Sequence, residues 1–252
     1  MTDATVPLRG GVRMPTIGLG TAGLRGDGGY AAIRTALDAG YRMVDTATAY
    51  GNEAEVGRAV RHSGQDVFVT TKLPPSEAGR EDKVLGASLR ALGVDAVDLW
   101  LIHWPPPHAM TVRSWSAMLA ARHAGRVRAI GVSNYGTDLI DTLMRETGEA
   151  PAVNQIPWSP GRHDPIVLAE SRERGVVVEG YSPLSDTDLD DPTLLAIAAR
   201  HVVTAAQVVL RWHLQHGIVV IPKSRDAGRQ RANRDLDGFE LAPDEMATLD
   251  AF

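Results

Sequence analysis

Along the 252 residues, short apolar runs of strand length alternate with amphipathic stretches of helical period. That alternation limits the possible folds more than any other feature of the chain. Strand-like runs fall near Ile17 and at 42–45, 67–71, 97–102, 127–132, 153–155, 176–180 and 218–221. Helical patterns fall at 31–37, 53–60, 83–92, 112–124, 138–147, 166–174, 192–199 and 205–215. Eight strands interleaved with helices predict an α/β fold, a closed parallel (β/α)8 TIM barrel with right-handed crossovers, for which about 250 residues is the usual length. Ahead of the first strand, Leu8-Arg9-Gly10-Gly11-Val12-Arg13-Met14 reads as a β-hairpin with a Gly-Gly turn, placed to plug the barrel floor. No linker or low-complexity segment interrupts the pattern, so residues 1–252 are expected to form a single domain.

One local motif argues for a different α/β fold. Gly18-Leu19-Gly20-Thr21-Ala22-Gly23 spells the G-x-G-x-x-G dinucleotide fingerprint, and Asp45 follows at about the spacing of a ribose-binding acid. A working fingerprint needs a buried strand before the first glycine and a helix opened by the glycines themselves. Here Gly10 to Thr16 is polar and broken by Pro15, and Leu24-Arg25-Gly26-Asp27-Gly28-Gly29 separates Gly23 from the helical pattern. The match is therefore read as coincidental.

Composition removes several classes of function. With no cysteine there is no disulfide, thiolate nucleophile or Cys-bound zinc. A net charge of −5 offers no footprint for nucleic acid or an anionic membrane. Met1-Thr2-Asp3-Ala4-Thr5 lacks a secretory pattern and no apolar run approaches the ~18 residues of a membrane span, so a cytoplasmic enzyme or binding protein is expected.

In a parallel barrel the working residues lie at the C-terminal ends of the strands. Those positions are Asp45, Lys72, His103, Ser133, Asn134, Gln155, Tyr181, Ser182, Lys223 and Ser224, all polar and all directed to one bowl. Two of them are lysines in a chain whose 26 basic residues include only three, Lys72, Lys83 and Lys223. A chain that otherwise uses arginine keeps lysine where a compact ammonium is needed.

The segments Asp45-Thr46-Ala47-Thr48-Ala49-Tyr50-Gly51-Asn52-Glu53, Thr71-Lys72-Leu73, Leu101-Ile102-His103-Trp104-Pro105, Gly131-Val132-Ser133-Asn134-Tyr135 and Ile221-Pro222-Lys223-Ser224 resemble the aldo-keto reductases in order and spacing. The likeness runs from Gly18 to about Leu249. It implies NADPH-dependent reduction of aldehydes and ketones without a metal, by a usually monomeric protein whose partner is a small carbonyl compound. By resemblance Tyr50 is the proton donor, Lys72 lowers its pKa, Asp45 pairs with Lys72, and His103 orients the carbonyl. The same likeness assigns NADP(H) binding to Gly20 and Thr21 of the first loop, to Ser133, Asn134 and Gln155 at the carboxamide, and to Tyr181 as the stacking ring. Ser182, Leu184 and Ser185 would follow the pyrophosphate, and Lys223, Ser224, Arg229 and Asn233 the adenosine end. The cations among them favour NADP(H) over NAD(H).

The chain departs from that family at the substrate wall. Ala22 stands where a Trp is usual, Trp158-Ser159-Pro160 replaces the commoner Tyr-His-Pro and is expected to refill part of the space, and Trp104 completes the substrate pocket. The connection from Ser185 to Asp191 is short and acidic, and the sequence ends at Phe252 soon after the last helical pattern. These features predict an open, poorly lidded bowl. Two other readings are weighed against reduction. A cofactor-binding regulatory or redox-sensing protein would show partner-binding extensions or damage to the set Asp45, Tyr50, Lys72 and His103, and the sequence shows neither. A metal-dependent hydrolase built on His103 and His108 meets the rigid Trp104-Pro105-Pro106-Pro107 segment that holds the two apart.

Overall fold

A computed structural model of the chain describes residues 4–252, apart from the side chain of His108. Strands β1 (Thr5–Pro7) and β2 (Arg13–Pro15) form the antiparallel hairpin, with Val6 opposite Met14. Eight parallel strands follow: β3 (Leu19–Gly20), β4 (Met43–Asp45), β5 (Phe68–Leu73), β6 (Val97–Ile102), β7 (Val127–Ser133), β8 (Val153–Pro157), β9 (Val177–Tyr181) and β10 (Val219–Val220). Each pairs with its neighbour in sequence. The ring closes where Ile17 bridges Val220, with Gly18 N donating to Val220 O at 2.9 Å and Val220 N donating to Thr16 O at 3.0 Å.

Helices α1 (Gly26–Asp38), α2 (Glu53–Ser63), α3 (Glu81–Leu92), α4 (His108–His123), α5 (Thr137–Thr147) and α6 (Pro165–Glu173) connect successive strands from β3 to β9. Two helices, α7 (Pro192–His201) and α8 (Ala205–Gln215), span the crossover from β9 to β10, and α9 (Ala227–Arg234) and α10 (Pro243–Leu249) follow. Their apolar faces, among them Ile33, Leu37, Val56, Leu85, Trp115, Ile140 and Leu143, are buried against the outside of the barrel. Among the described residues no single helix is long and apolar enough to cross a membrane.

Strand period decides what fills the inside. Met43, Phe68, Leu99, Leu101, Ala129, Val153 and Val219 form one interior cluster, and Leu8 and Met14 of the hairpin region join it. The hairpin therefore plugs the floor, as its position before the first strand predicts. The glycines of the apparent fingerprint serve the closing seam. A Cβ on Gly20 would lie 2.9 Å from the Ile221 carbonyl, and Gly23 turns with φ +79°. Helix α1 starts at Gly26, beyond all three glycines of the motif, so none of them opens it.

Candidate active site

Inward-facing positions recur every second residue along a strand, so the residue two beyond each apolar plug residue emerges at the upper end of the barrel interior. Met43 leads to Asp45, Leu101 to His103, Val153 to Gln155 and Ile221 to Lys223; Thr70, also buried, leads to Lys72. This register, rather than any local motif, brings together side chains far apart in sequence.

At the base of the site Lys72 Nζ donates to Asp45 Oδ1 at 2.5 Å and to Thr46 O at 3.0 Å. The pair is 0% and 2% exposed, so neither charge would be tolerable without the other. Burial pulls the Lys72 pKa down, but the charges of Asp45 and Tyr50 and the Asp45 hydrogen bond outweigh it, and the net shift is upward. Tyr50 ends the 3-10 turn Thr48–Tyr50, which stops at Gly51 in the left-handed region. Thr48 Oγ1 donates to Lys72 O at 3.0 Å and Arg25 Nε to Tyr50 O at 2.6 Å, which anchors the turn at both ends. Asn52 ties it to the neighbouring loop, accepting from Thr46 Oγ1 at 2.7 Å and donating to Thr21 O at 2.9 Å and Leu24 O at 2.8 Å.

Lys72 Nζ lies 5.2 Å from the centroid of the Tyr50 ring, and the His103 ring stands edge-on to Tyr50 at 5.7 Å. Lys72 pulls the Tyr50 pKa down, as expected, but it does not set the net direction. Burial pushes the phenol above its ordinary value and Asp45 adds to the effect, so the pull of Lys72 is outweighed. Tyr50 therefore keeps its proton across the neutral range. Burial and the Lys72 charge push His103 down to about 4, which leaves a neutral imidazole facing the cavity.

Above these groups opens a cavity of about 450 Å³. Of the residues read from the sequence, Gly20, Thr21, Ala22, Asp45, Tyr50, His103, Trp104, Ser133, Asn134, Tyr181, Ser182, Leu184, Ser185 and Lys223 line it, joined by Pro183, Ile221 and Pro222. One wall is a hydrogen-bonded chain. Tyr181 Oη donates to Asn134 Oδ1 at 2.9 Å, Asn134 Nδ2 donates to Ser133 Oγ at 2.9 Å and His103 O at 3.1 Å, and Ser133 Oγ donates to Gln155 O at 2.8 Å. Asn134 holds φ +64°, a conformation that asparagine tolerates better than most residues.

Four of the assigned cofactor residues are off the wall but close to it in the fold. Gln155 lies beneath, its Nε2 donating at 2.8 Å both to Asp45 Oδ2 and to Glu179 Oε2. Ser224, Arg229 and Asn233 lie beyond Lys223 at and within α9, whose cap Asp226 accepts from Arg229 N at 2.8 Å. Trp158 does not belong to the pocket. It is 3% exposed and packs outside the barrel with Leu168, Val209 and Trp212. The reason is parity: Trp158 is three residues after the inward Gln155 and so faces outward. Ala22 lines the cavity, and Trp104, 50% exposed, is its lining tryptophan. The acidic connection leans on the 3-10 turn Pro160–Arg162, with Arg162 Nη1 3.6 Å from Asp186 Oδ2.

Two residues near the site escaped the reading of the sequence. Arg225 donates to Gly23 O beside the cavity mouth. Glu179 is a lone charge after Val176-Val177-Val178, a visible sign of an inward polar role in an otherwise apolar strand.

Comparison with known proteins gives one consistent result. The Aldo/keto reductase family profile matches residues 16–252. The chain is 45% identical over 253 residues to 2,5-diketo-D-gluconic acid reductase B of Corynebacterium sp. (strain SHS752001), covering 97% of this chain and 91% of that protein. It is 41% identical over 265 residues to morphine 6-dehydrogenase of Pseudomonas putida, covering 97% and 90%. An aldo/keto reductase structure from Brucella melitensis superposes with TM-score 0.96 at 39% identity, over 99% of each chain. The Bombyx mori aldo-keto reductase in complex with NADP superposes with TM-score 0.93 at 30% identity, over 100% of this chain and 93% of that one. Sequence, barrel and buried Asp-Lys pair agree: this chain is an oxidoreductase of the aldo/keto reductase family.

Proposed function

We propose that the protein reduces aldehydes and ketones to alcohols with NADPH, with Tyr50 as the proton donor. The observation that carries this reading is the buried Asp45–Lys72 pair at the floor of a cavity that Tyr50 and His103 also line. The cavity suits the cofactor in its donor set: a partly exposed Tyr181 ring, the Ser133 and Asn134 polar pair, and the exposed Lys223 at one end. NADPH, when bound, supplies the hydride for the carbonyl carbon. Tyr50 holds the proton for the developing alkoxide, and the neutral His103 ring orients the carbonyl by a hydrogen bond. Asp45 keeps the Lys72 ammonium in place, and that charge steadies the phenolate left once the proton has gone. The test is NADPH consumption with a reactive aldehyde in the presence of a chelator. An absence of turnover across a broad carbonyl panel would instead support a cofactor-binding protein without turnover.

Lys223 and Arg229 give the cofactor preference. Each charge-assisted contact to a 2′-phosphate favours NADPH over NADH, by about tenfold to a hundredfold in total. Arg229→Ala is expected to weaken NADPH binding and leave NADH nearly unchanged, measured by fluorescence titration with both. Equal affinities in the unmodified protein would refute the assignment.

The wall at Ala22 gives the substrate preference. With no aromatic there, few apolar contacts reward one substrate over another, so many carbonyl compounds are expected to react with high Michaelis constants. Ala22→Trp restores about 1–3 kcal/mol of discrimination. It is expected to lower activity on bulky ketones more than on small aldehydes in a kcat/KM panel. A variant indifferent to substrate size would show that position 22 is not a wall.

A further inference from the structure

Glu179 has no part in the chemistry assigned above, yet it lies beside the groups that perform it. Its side chain is 0% exposed and points into the barrel, two residues before the cavity-lining Tyr181. Oε2 accepts from Gln155 Nε2 at 2.8 Å, and the same nitrogen donates to Asp45 Oδ2 at 2.8 Å. Two carboxyl groups thus share one amide nitrogen and are separated by at most twice that distance. Glu179 Oε1 is buried with no hydrogen-bond partner among the described residues.

The charged and titratable groups facing Glu179 come from several elements. Asp45 approaches from β4 and Lys72 from β5, and Tyr50 lies beyond Lys72. Tyr181 follows on β9 itself. On the outer side His213 of α8 packs against Gly180 and is held neutral, pushed down to about 4 by burial. Lys72 is the cation of this group, and its Nζ is committed to Asp45 and to Thr46 O. Two buried carboxylates beside one engaged ammonium cannot both remain ionised, and the proton belongs on the one outside the ion pair. In agreement, burial and the Asp45 charge push Glu179 up to about 8.

We propose that Glu179 is a positioning residue of this active centre, a neutral carboxylic acid at neutral pH whose ionisation places a second negative charge next to Asp45 and makes Tyr50 release its proton less readily. While neutral, it leaves Asp45 as the sole counterion of Lys72. Once ionised, it competes for the field of Lys72 and opposes formation of the phenolate. The catalytic consequence rests on the role of Tyr50 given above, whereas the protonation of Glu179 does not, so the two are tested separately.

Infrared spectra of the unmodified protein, with carbon-13 in its glutamates, read the protonation directly. A carboxylic acid C=O band is expected at neutral pH, fading as pH rises through about 8 and absent from Glu179→Gln. Unfolding supplies a second readout that needs neither cofactor nor substrate. A raised folded-state pKa means that stability is fully present below the unfolded value of 4.5 and is lost as pH rises towards about 8. The melting temperature of Glu179→Gln relative to the unmodified protein is therefore expected to climb steadily across that interval and then level off. Finally, carbonyl reduction by the unmodified enzyme is expected to decline through an inflection near pH 8 that Glu179→Gln lacks. A missing band at neutral pH, or a difference in melting temperature that does not change with pH, overturns the neutral acid. A band that behaves as expected with an inflection unchanged in the variant overturns the link to Tyr50. Retention of activity by Tyr50→Phe would refute the proton-donor assignment and leave the infrared result standing.

Discussion

Tyr50→Phe is expected to lower carbonyl reduction by ~10²–10⁴, because it removes both the general acid and the hydrogen bond it makes to the developing alkoxide. The phenol is held in its protonated form by burial and the Asp45 charge, and it lies at the wall of the cavity floored by the ion pair. The substitution deletes one oxygen from a turn whose anchoring bonds are made by other atoms, Thr48 Oγ1, Arg25 Nε and the Asn52 amide. Folding and NADPH binding are therefore expected to survive, checked by thermal melting and fluorescence titration. A Phe variant keeping more than about a tenth of the turnover would remove Tyr50 from the mechanism, since general acid catalysis alone contributes at least about 10².

Lys72→Met is expected to affect both stability and catalysis. It leaves Asp45, 2% exposed, as a buried charge without its counterion, a loss of about 3–5 kcal/mol. Turnover should fall by at least about 10²-fold with the loss of the charge that steadies the phenolate. The double variant Asp45→Asn with Lys72→Met separates the two effects. Removing both charges should restore most of the stability lost in the single variant, read by denaturant unfolding, while activity stays low. Recovery of turnover in the double variant would show that Lys72 serves the fold and not the reaction.

How much of this was legible in the sequence depends on how each residue obtains its role. Asp45, Lys72, His103, Ser133 and Lys223 could be placed because each ends a strand-like run, and the barrel makes such ends converge. The two-residue strands β3 and β10 were legible only as regions, since the seam is held by single bonds at Thr16, Gly18 and Gly20 rather than by a long apolar ladder. Trp158 was misplaced although strand parity was available: counting from Gln155 turns it outward, where Leu168 and Trp212 cover it. The pKa direction of Tyr50 could not be read, because it depends on how far burial outweighs Lys72, a three-dimensional quantity. Glu179 was visible as a lone charge, but its meaning comes from Asp45, a partner 134 residues earlier in the chain, met through Gln155.

The hydrogen bond from Gln155 to Asp45 spans 110 residues. During synthesis the ribosome releases Asp45, Tyr50, Lys72 and His103 well before Gln155 and Glu179, and Val220, which closes the ring against Gly18, comes later still. A nascent chain therefore carries Asp45 and Lys72 before the later strands that complete the barrel around them have been made. Such long-range contacts slow the search for the native state. Because the centre joins side chains from early and late strands, enzymatic activity is expected to report on closure of the entire ring rather than on the folding of any one segment.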